Sequence, residues 1–350
     1  MRTTCAGGSV SGLIGYYVHH QGEGHRQRAL SIASCAPQRF VMLGTGLRDR
    51  TEGLESIELD DDRTENAGDF ASLSPEECLH YAPRNHRGLQ NRIATLAQWI
   101  ARYRPALLVV DVSVEVAMLA RLAGVRTIYV RLAGNRDDRA HRQAFLSAHK
   151  LLAPFHADLD ETSTPAWVRN KTFYAPGITQ TLSEVQIDET RILVVSGSGG
   201  GVWDVDTLRV AAASLPQSSW RVIGQAQPPG TNPANLEFCG WVADADQQIA
   251  AAGIVIGHAG DGIVTSVIAA NRPFICLPQA RPYDEQGAKA RRLAAVGAAV
   301  VLERLPQPAE WPELIRRAKT LLPCRQARLH TIGGARTACE WLITTADQAT

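Results

Sequence analysis

Residues 240–291 read GWVADADQQIAAAGIVIGHAGDGIVTSVIAANRPFICLPQARPYDEQGAKAR. Two short apolar runs, 254–256 and 274–277, each end in a polar turn that leads into a stretch of helical character. That alternation is the pattern of βα units on a parallel sheet. The first run ends in GHAGDG, which brings His258, Gly260 and Gly262 to the mouth of the sheet ahead of a helix expected from about Ile263. Glycines let an anionic group approach the backbone, and a histidine beside them offers a hydrogen bond. The second run ends in QARPYDEQ. Both turns should emerge at the carboxyl ends of neighbouring strands, where open α/β sheets bind ligands.

Outward from this stretch the pattern repeats. Strands are expected at 192–195, 220–223, 236–239 and 299–302 around it, and at 13–18, 40–43, 56–59, 107–110, 127–130 and 150–152 in the first half, with helices at 89–103 and 114–122. A chain of 350 residues exceeds the usual size of one domain. The expectation is therefore an α/β protein of two facing, doubly wound Rossmann-like domains with a cleft between them. The boundary is placed near Pro176, giving units 1–175 and 176–350. Residues 1–12, small and polar, read as a loose tail. The last helical stretch, interrupted at Gly333 and Gly334, is expected to pack back on the first domain.

Composition narrows the function classes. Apolar residues make up 45% of the chain and charged ones 20%, an ordinary globular balance. A formal charge of +1 gives no electrostatic ground for a nucleic-acid partner. Residues 101–150 are locally basic, which leaves peripheral contact with a membrane surface open. The seven scattered cysteines form no C-x-x-C pair and read as reduced core residues, so the expected location is the cytoplasm, including the inner face of the membrane. No apolar run is long enough to span a bilayer.

Three further motifs carry chemistry. ILVVSGSGGGVWD runs a buried strand into Ser196, Gly197, Ser198 and Gly199, whose backbone N–H groups would make an anion site; the plainer reading is a tight turn. It lacks the closing Gly-Lys-Ser/Thr of a Walker A loop and the acidic ribose partner of a dinucleotide fingerprint. Near the start, HHQGEGHRQRA follows the first strand. At a strand end His19 and His20 point to opposite faces, so at most one faces the cleft, and no metal role is expected for them or for His25. The strings DVD at 204–206 and DAD at 244–246 precede helices and read chiefly as capping acids.

The stretch 240–291 resembles the donor-binding region of GT-B glycosyltransferases, both UDP-glycosyltransferases and the bacterial lipid-linked N-acetylglucosamine transferase of cell-wall synthesis. The resemblance covers about fifty residues here and about twenty near the start. It implies that Trp241, with Val242 beside it, stacks on the nucleotide base. It implies that His258, Gly260, Asp261 and Gly262 form the diphosphate site. Asp284, Glu285 and Gln286 then hold the donor sugar, although the preceding loop is about three residues longer than the family's. The family's ribose-binding glutamate falls on Ser266, a departure that removes a charge and bears on donor choice. GEGHRQRA matches the glycine-rich turn after the family's first strand at Gly22, Gly24 and His25. The resemblance makes Gly24 a donor contact and His25 the general base, with Asp111 as the acid that would orient it. The alternative for Asp111 is capping the helix near Val114.

The resemblance thus implies an inverting, metal-independent enzyme without a cofactor. It would move a sugar from a nucleotide diphosphate, UDP above others, to the hydroxyl of a small-molecule or lipid-linked acceptor. Two alternatives stay open. The G-x-G-H-x-x-R form also resembles nucleotide-sugar hydrolases of the same superfamily, and Ser266 leaves room for a non-catalytic nucleotide-sugar binder.

Overall fold

The computed structural model describes residues 12–20, 22–63, 78–179, 185–197 and 203–348. The first half carries β1 (Ile14–Val18), α1 (Glu23–Ala33), β2 (Phe40–Gly44), β3 (Ser56–Glu58), α2 (Arg87–Tyr103), β4 (Leu107–Asp111), α3 (Val114–Leu122), β5 (Thr127–Val130), α4 (Arg139–Ser147), β6 (Lys150–Ala153), α5 (Ala166–Lys171) and β7 (Thr172–Tyr174). The second carries β8 (Asp188–Val195), α6 (Val205–Ser214), β9 (Ser219–Ile223), β10 (Leu236–Gly240), α7 (Ala245–Ala251), β11 (Ala252–Gly257), α8 (Asp261–Ala270), β12 (Phe274–Cys276), α9 (Glu285–Ala295), β13 (Val300–Val301), α10 (Trp311–Lys319), α11 (Pro323–Ala327) and α12 (Gly334–Asp347).

The strands form two separate sheets, parallel throughout. Seven strands lie in the order β3-β2-β1-β4-β5-β6-β7, and six in the order β10-β9-β8-β11-β12-β13. The order in which strands are added therefore reverses once in each sheet, between β1 and β4 in the first and between β8 and β11 in the second. Such switch points open a crevice at the carboxyl ends of the strands. Central strands such as β4, LLVVD, are buried at all five positions, because helices cover both faces. The expected strands are present with ends shifted by a few residues. β7 was not expected: its three residues, TFY, are only half-buried and offer no apolar run.

Three packing features hold the halves together. Ala338, Leu342 and Ala346 share one face of α12 and join the first-sheet core with Ile14, Ala29 and Ile128. Trp341 stacks on Phe173 of β7 at 4.4 Å and 4°. Leu342 is fully buried, so Leu342→Ala should destabilise the fold by about 2–5 kcal/mol. Third, Phe155 and Leu159, which follow β6, enter the second-sheet core beside Val264, Ile268 and Leu293.

Candidate active site at the two switch points

At the first switch point, α1 follows β1 and places His25 in its opening turn, while β4 ends at Asp111. His25 Nδ1 lies 3.0 Å from Asp111 Oδ1. Arg28, one turn further along α1, reaches both Asp111 oxygens, at 2.9 and 3.0 Å from Nη2 and 3.3 Å from Nε. Its Nη2 also stands 2.9 Å from His25 Nδ1. With its hydrogen on Nδ1, His25 donates to Asp111; with its hydrogen on Nε2, Nδ1 accepts from Arg28 Nη2 instead, and the first tautomer is the one that serves a base. In that first tautomer Nε2 is the basic nitrogen. Asp111 is fully buried; burial pushes its carboxyl up, but Arg28 and His25 outweigh that and hold it at about 2.

The turn after Asp111 is strained. Val112 has φ +55°, unusual for a β-branched residue, and Ser113 N–H donates to the Asp111 carbonyl at 2.9 Å across it. The Tyr129 hydroxyl donates to the Val112 carbonyl and secures the turn. The cap of α3 is Ser113, which accepts from Val116 N–H, so capping does not account for Asp111.

At the second switch point β11 ends at Gly257 and α8 starts at Asp261, two residues before the expected Ile263. The turn holds His258, Gly260, Asp261 and Gly262 together. A Cβ placed on Gly24, Gly260 or Gly262 would meet no atom within 4 Å. Neither positive φ nor packing requires glycine at these three positions; Gly24 and Gly262 are exposed and Gly260 is half-buried, which leaves room for a ligand at the turn. His258 departs from the simple expectation. Its Nδ1 donates to the Leu277 carbonyl at 2.8 Å and its ring stacks on Trp203 at 4.6 Å. A neutral His258 therefore presents Nε2 as an acceptor, and donation to a phosphate needs a second proton.

Asp261 pairs with Lys289 of α9, which is 2% exposed. Arg28 Nη1 approaches the same carboxylate to 3.6 Å from the other domain. Burial raises the Asp261 pKa, but Lys289 and Arg28 lower it on balance. In the neighbouring turn Ser196 is buried, 3.4 Å from Gln225, and Gly197 is exposed. Ser198 and Gly199 lie outside the described residues.

The remaining expected residues fall into two groups. Trp241 is 67% exposed, while Val242 packs on the second core. Ser266, on α8, donates to Asp246 of α7 at 2.6 Å, so a carboxylate stands beside the position where the sequence shows none. Asp246 is thus not simply a capping acid; Asp204 is one, accepting from Thr207 N–H at 2.8 Å. In the QARPYDEQ loop, Asp284 pairs with Arg291 at 2.7 Å and Glu285 with Arg136 of the first domain at 3.1 Å. Gln286 is buried, its carbonyl accepting from Ala259 and Gln279 N–H at 3.1 and 3.0 Å and tying the two turns together. The loop after β5 closes on this segment, with Asn135 N–H donating to the Tyr283 carbonyl at 2.7 Å. Tyr283 and Asp284 both have positive φ there.

Lys289 and Arg136 were not singled out in the sequence, and Asp246 was read there as a capping acid rather than as a partner of Ser266. Lys289 left one signal, a charge on the Gln286–Lys289–Leu293 stripe that α9 buries. Two clusters have donor sets that suit a cation: His80, Asp138 and His141, and His20, Asp61 and Asp62. Arg136 stands 3.1 Å from His141 Nε2, and Arg92 2.8 Å from Asp62, so each cluster already has a positive neighbour. Among the described residues the buried His19 Nδ1 has no hydrogen-bond partner, and its ring lies 5.4 Å from that of His25. No described helix is long and apolar enough to cross a membrane.

Residues 223–316 match the glycosyltransferase family 28 C-terminal domain. No curated protein matches the chain. Among solved structures, CalG4, the calicheamicin glycosyltransferase, is similar at TM-score 0.67 and 17% identity, covering 95% of this chain and 98% of its own. MurG of Acinetobacter baumannii is similar at 0.66 and 16%, over 95% and 99%. A UGT transferase from Siraitia grosvenorii, solved with UDP, is similar at 0.67 and 13%, over 95% and 99%. The two parallel-sheet domains form a GT-B fold, and the family match together with that fold supports a glycosyltransferase.

Proposed function

We propose that the protein is an inverting glycosyltransferase that uses a nucleoside-diphosphate sugar, UDP-linked in the first instance, and glycosylates a hydroxyl of a small-molecule or lipid-linked acceptor. The observation that carries this reading is the meeting of the two switch points. His25 and Asp111 end one sheet, the open glycine turn ends the other, and Arg28 stands between them, 3.6 Å from Asp261.

In this mechanism Nδ1–H of His25 is held by Asp111, and Nε2 takes the acceptor hydroxyl proton as the oxygen attacks the anomeric carbon. The bond from that carbon to the diphosphate oxygen breaks, and configuration inverts in one displacement. Asp111 stabilises the imidazolium that forms. Charge leaving on the diphosphate is received by the backbone N–H groups that open α8, with no cofactor in the scheme. Trp241 offers a face for the base, and Asp246, held by Ser266, offers a carboxylate to the ribose.

The test is incubation with UDP-, dTDP- and GDP-hexoses, with and without a panel of hydroxyl acceptors, following both nucleotide release and the glycosylated product. Acceptor-dependent release with an inverted product supports transfer. Equal release without any acceptor favours the hydrolase reading, which rests on Arg28 completing G-x-G-H-x-x-R against the His25–Asp111 pair. Binding without turnover across the panel favours a nucleotide-sugar binder.

A further inference from the structure

Asp261 is a negative charge where the proposed reaction needs room for an anion. It opens α8, whose cap Gly260 supplies no side-chain bond, so the carboxylate lies beside the N–H groups assigned to the diphosphate. It also stands between two buried cations from different elements. Lys289 is 2% exposed and projects from the buried stripe of α9, where an apolar side chain would pack at lower cost. Among the described residues, Asp261 is the acid with which Lys289 pairs. Arg28 is 6% exposed and comes from the first domain; its Nη1 faces Asp261 while Nη2 and Nε hold Asp111.

With Arg28 and Lys289 set against Asp111 and Asp261, this group is balanced without a ligand. A diphosphate arriving at the α8 turn adds negative charge beside Asp261, and charges of one sign at such range repel strongly in a desolvated site. The same two cations are within reach of that turn. We propose that Asp261 is a resident anion that occupies Arg28 and Lys289 in the empty site and yields them to the diphosphate of the donor. Arg28 and Lys289 are then donor-binding residues. Arg28 is also a positioning residue, because the guanidinium that turns toward the diphosphate is the one that orients Asp111 and, through it, His25. Donor binding in the second domain is thereby felt at the base in the first. This inference rests on the donor-site reading proposed above.

The experiment measures binding of inorganic pyrophosphate, UDP and uridine by calorimetry, with melting curves for each variant. Asp261→Asn keeps the shape and removes the charge; Asp261→Ser also removes the charge, with a smaller side chain, should the first fail to fold. The expected result is a lower melting temperature without ligand, about tenfold tighter binding of pyrophosphate and UDP, and unchanged binding of uridine. Lys289→Gln should weaken pyrophosphate and UDP by a similar factor and leave uridine alone. Arg28→Lys keeps the charge and should retain most UDP affinity while lowering kcat, since an ammonium cannot hold Asp111 by two bonds. If folded Asp261 variants bind pyrophosphate and UDP no more tightly than the wild type, Asp261 is a fixed brace and the exchange is wrong. Failure of the wild type to bind pyrophosphate or any of UDP, dTDP and GDP is a different result: it removes the donor site, and the exchange with it.

Discussion

Arg28 donates to both oxygens of Asp111, so the acid that orients His25 is itself fixed by a buried guanidinium one helical turn from the base. Removing the Asp111 charge leaves that cation with Asp261, at 3.6 Å, as its remaining acidic neighbour. Asp111→Asn should therefore cost stability as well as activity, by about 3–5 kcal/mol for a buried pair broken on one side. His25→Ala should leave the fold nearly unchanged and lower kcat by about 10²–10⁴. Melting curves and steady-state rates on the same preparations check both. A His25→Ala enzyme with undiminished turnover would falsify its role as base.

Two histidines, His19 and His141, set the acid limit of stability. Burial, with His25 and His20 adding to it, holds His19 down at about 3; burial, only partly offset by Asp138, holds His141 at about 4. The unfolded chain binds these protons near pH 6.5, while the folded chain does not. Stability is thus full above about pH 6.5 and falls as pH drops toward 3, by up to about 1.4 kcal/mol per unit for each group. Asp111, held at about 2, adds its loss only below about pH 4. His19→Gln should flatten the melting profile between pH 6.5 and 4. An unaltered slope in that variant counts against the account.

The sequence made visible what depends on local pattern. Apolar runs at a regular interval marked most strands, and GEGH and GHAGDG stood out because glycines follow strand ends in both. Pairing across the fold left little trace. The choice between cap and catalytic partner for Asp111 depended on Ser113 taking the cap, and on Arg28 lying against a carboxylate 83 residues away. Ser266 read as the loss of an acid, since no local rule connects it with Asp246, 20 residues earlier on another helix. β7 was missed because three half-buried residues at a sheet edge carry no period.

Ser266 and Asp246 give a test of donor recognition. Ser266 is buried, and its hydroxyl fixes the direction of the Asp246 carboxylate. Ser266→Ala should free that carboxylate and raise the donor KM roughly threefold to tenfold, with kcat unchanged, the loss of one hydrogen bond being about 0.5–1.5 kcal/mol. Asp246→Asn should act in the same direction. If the carboxylate meets the ribose, both variants should also narrow the difference in affinity between UDP and its 2′-deoxy counterpart. A fall in kcat at constant KM would place Asp246 elsewhere in the reaction.

Trp241 separates a binding face from a packing residue, because 67% of it is exposed at the turn after β10. An indole left in water contributes little to the fold, so Trp241→Ala should move stability by no more than about 0.5 kcal/mol. Stacking on a base contributes about 1–3 kcal/mol, so the same variant should weaken UDP by roughly 5- to 150-fold. Pyrophosphate, which has no base, should bind as before, and Trp241→Phe should recover part of the UDP affinity. Equal weakening of pyrophosphate and UDP would mean that Trp241 supports the glycine turn, and the base would have to be sought against another surface.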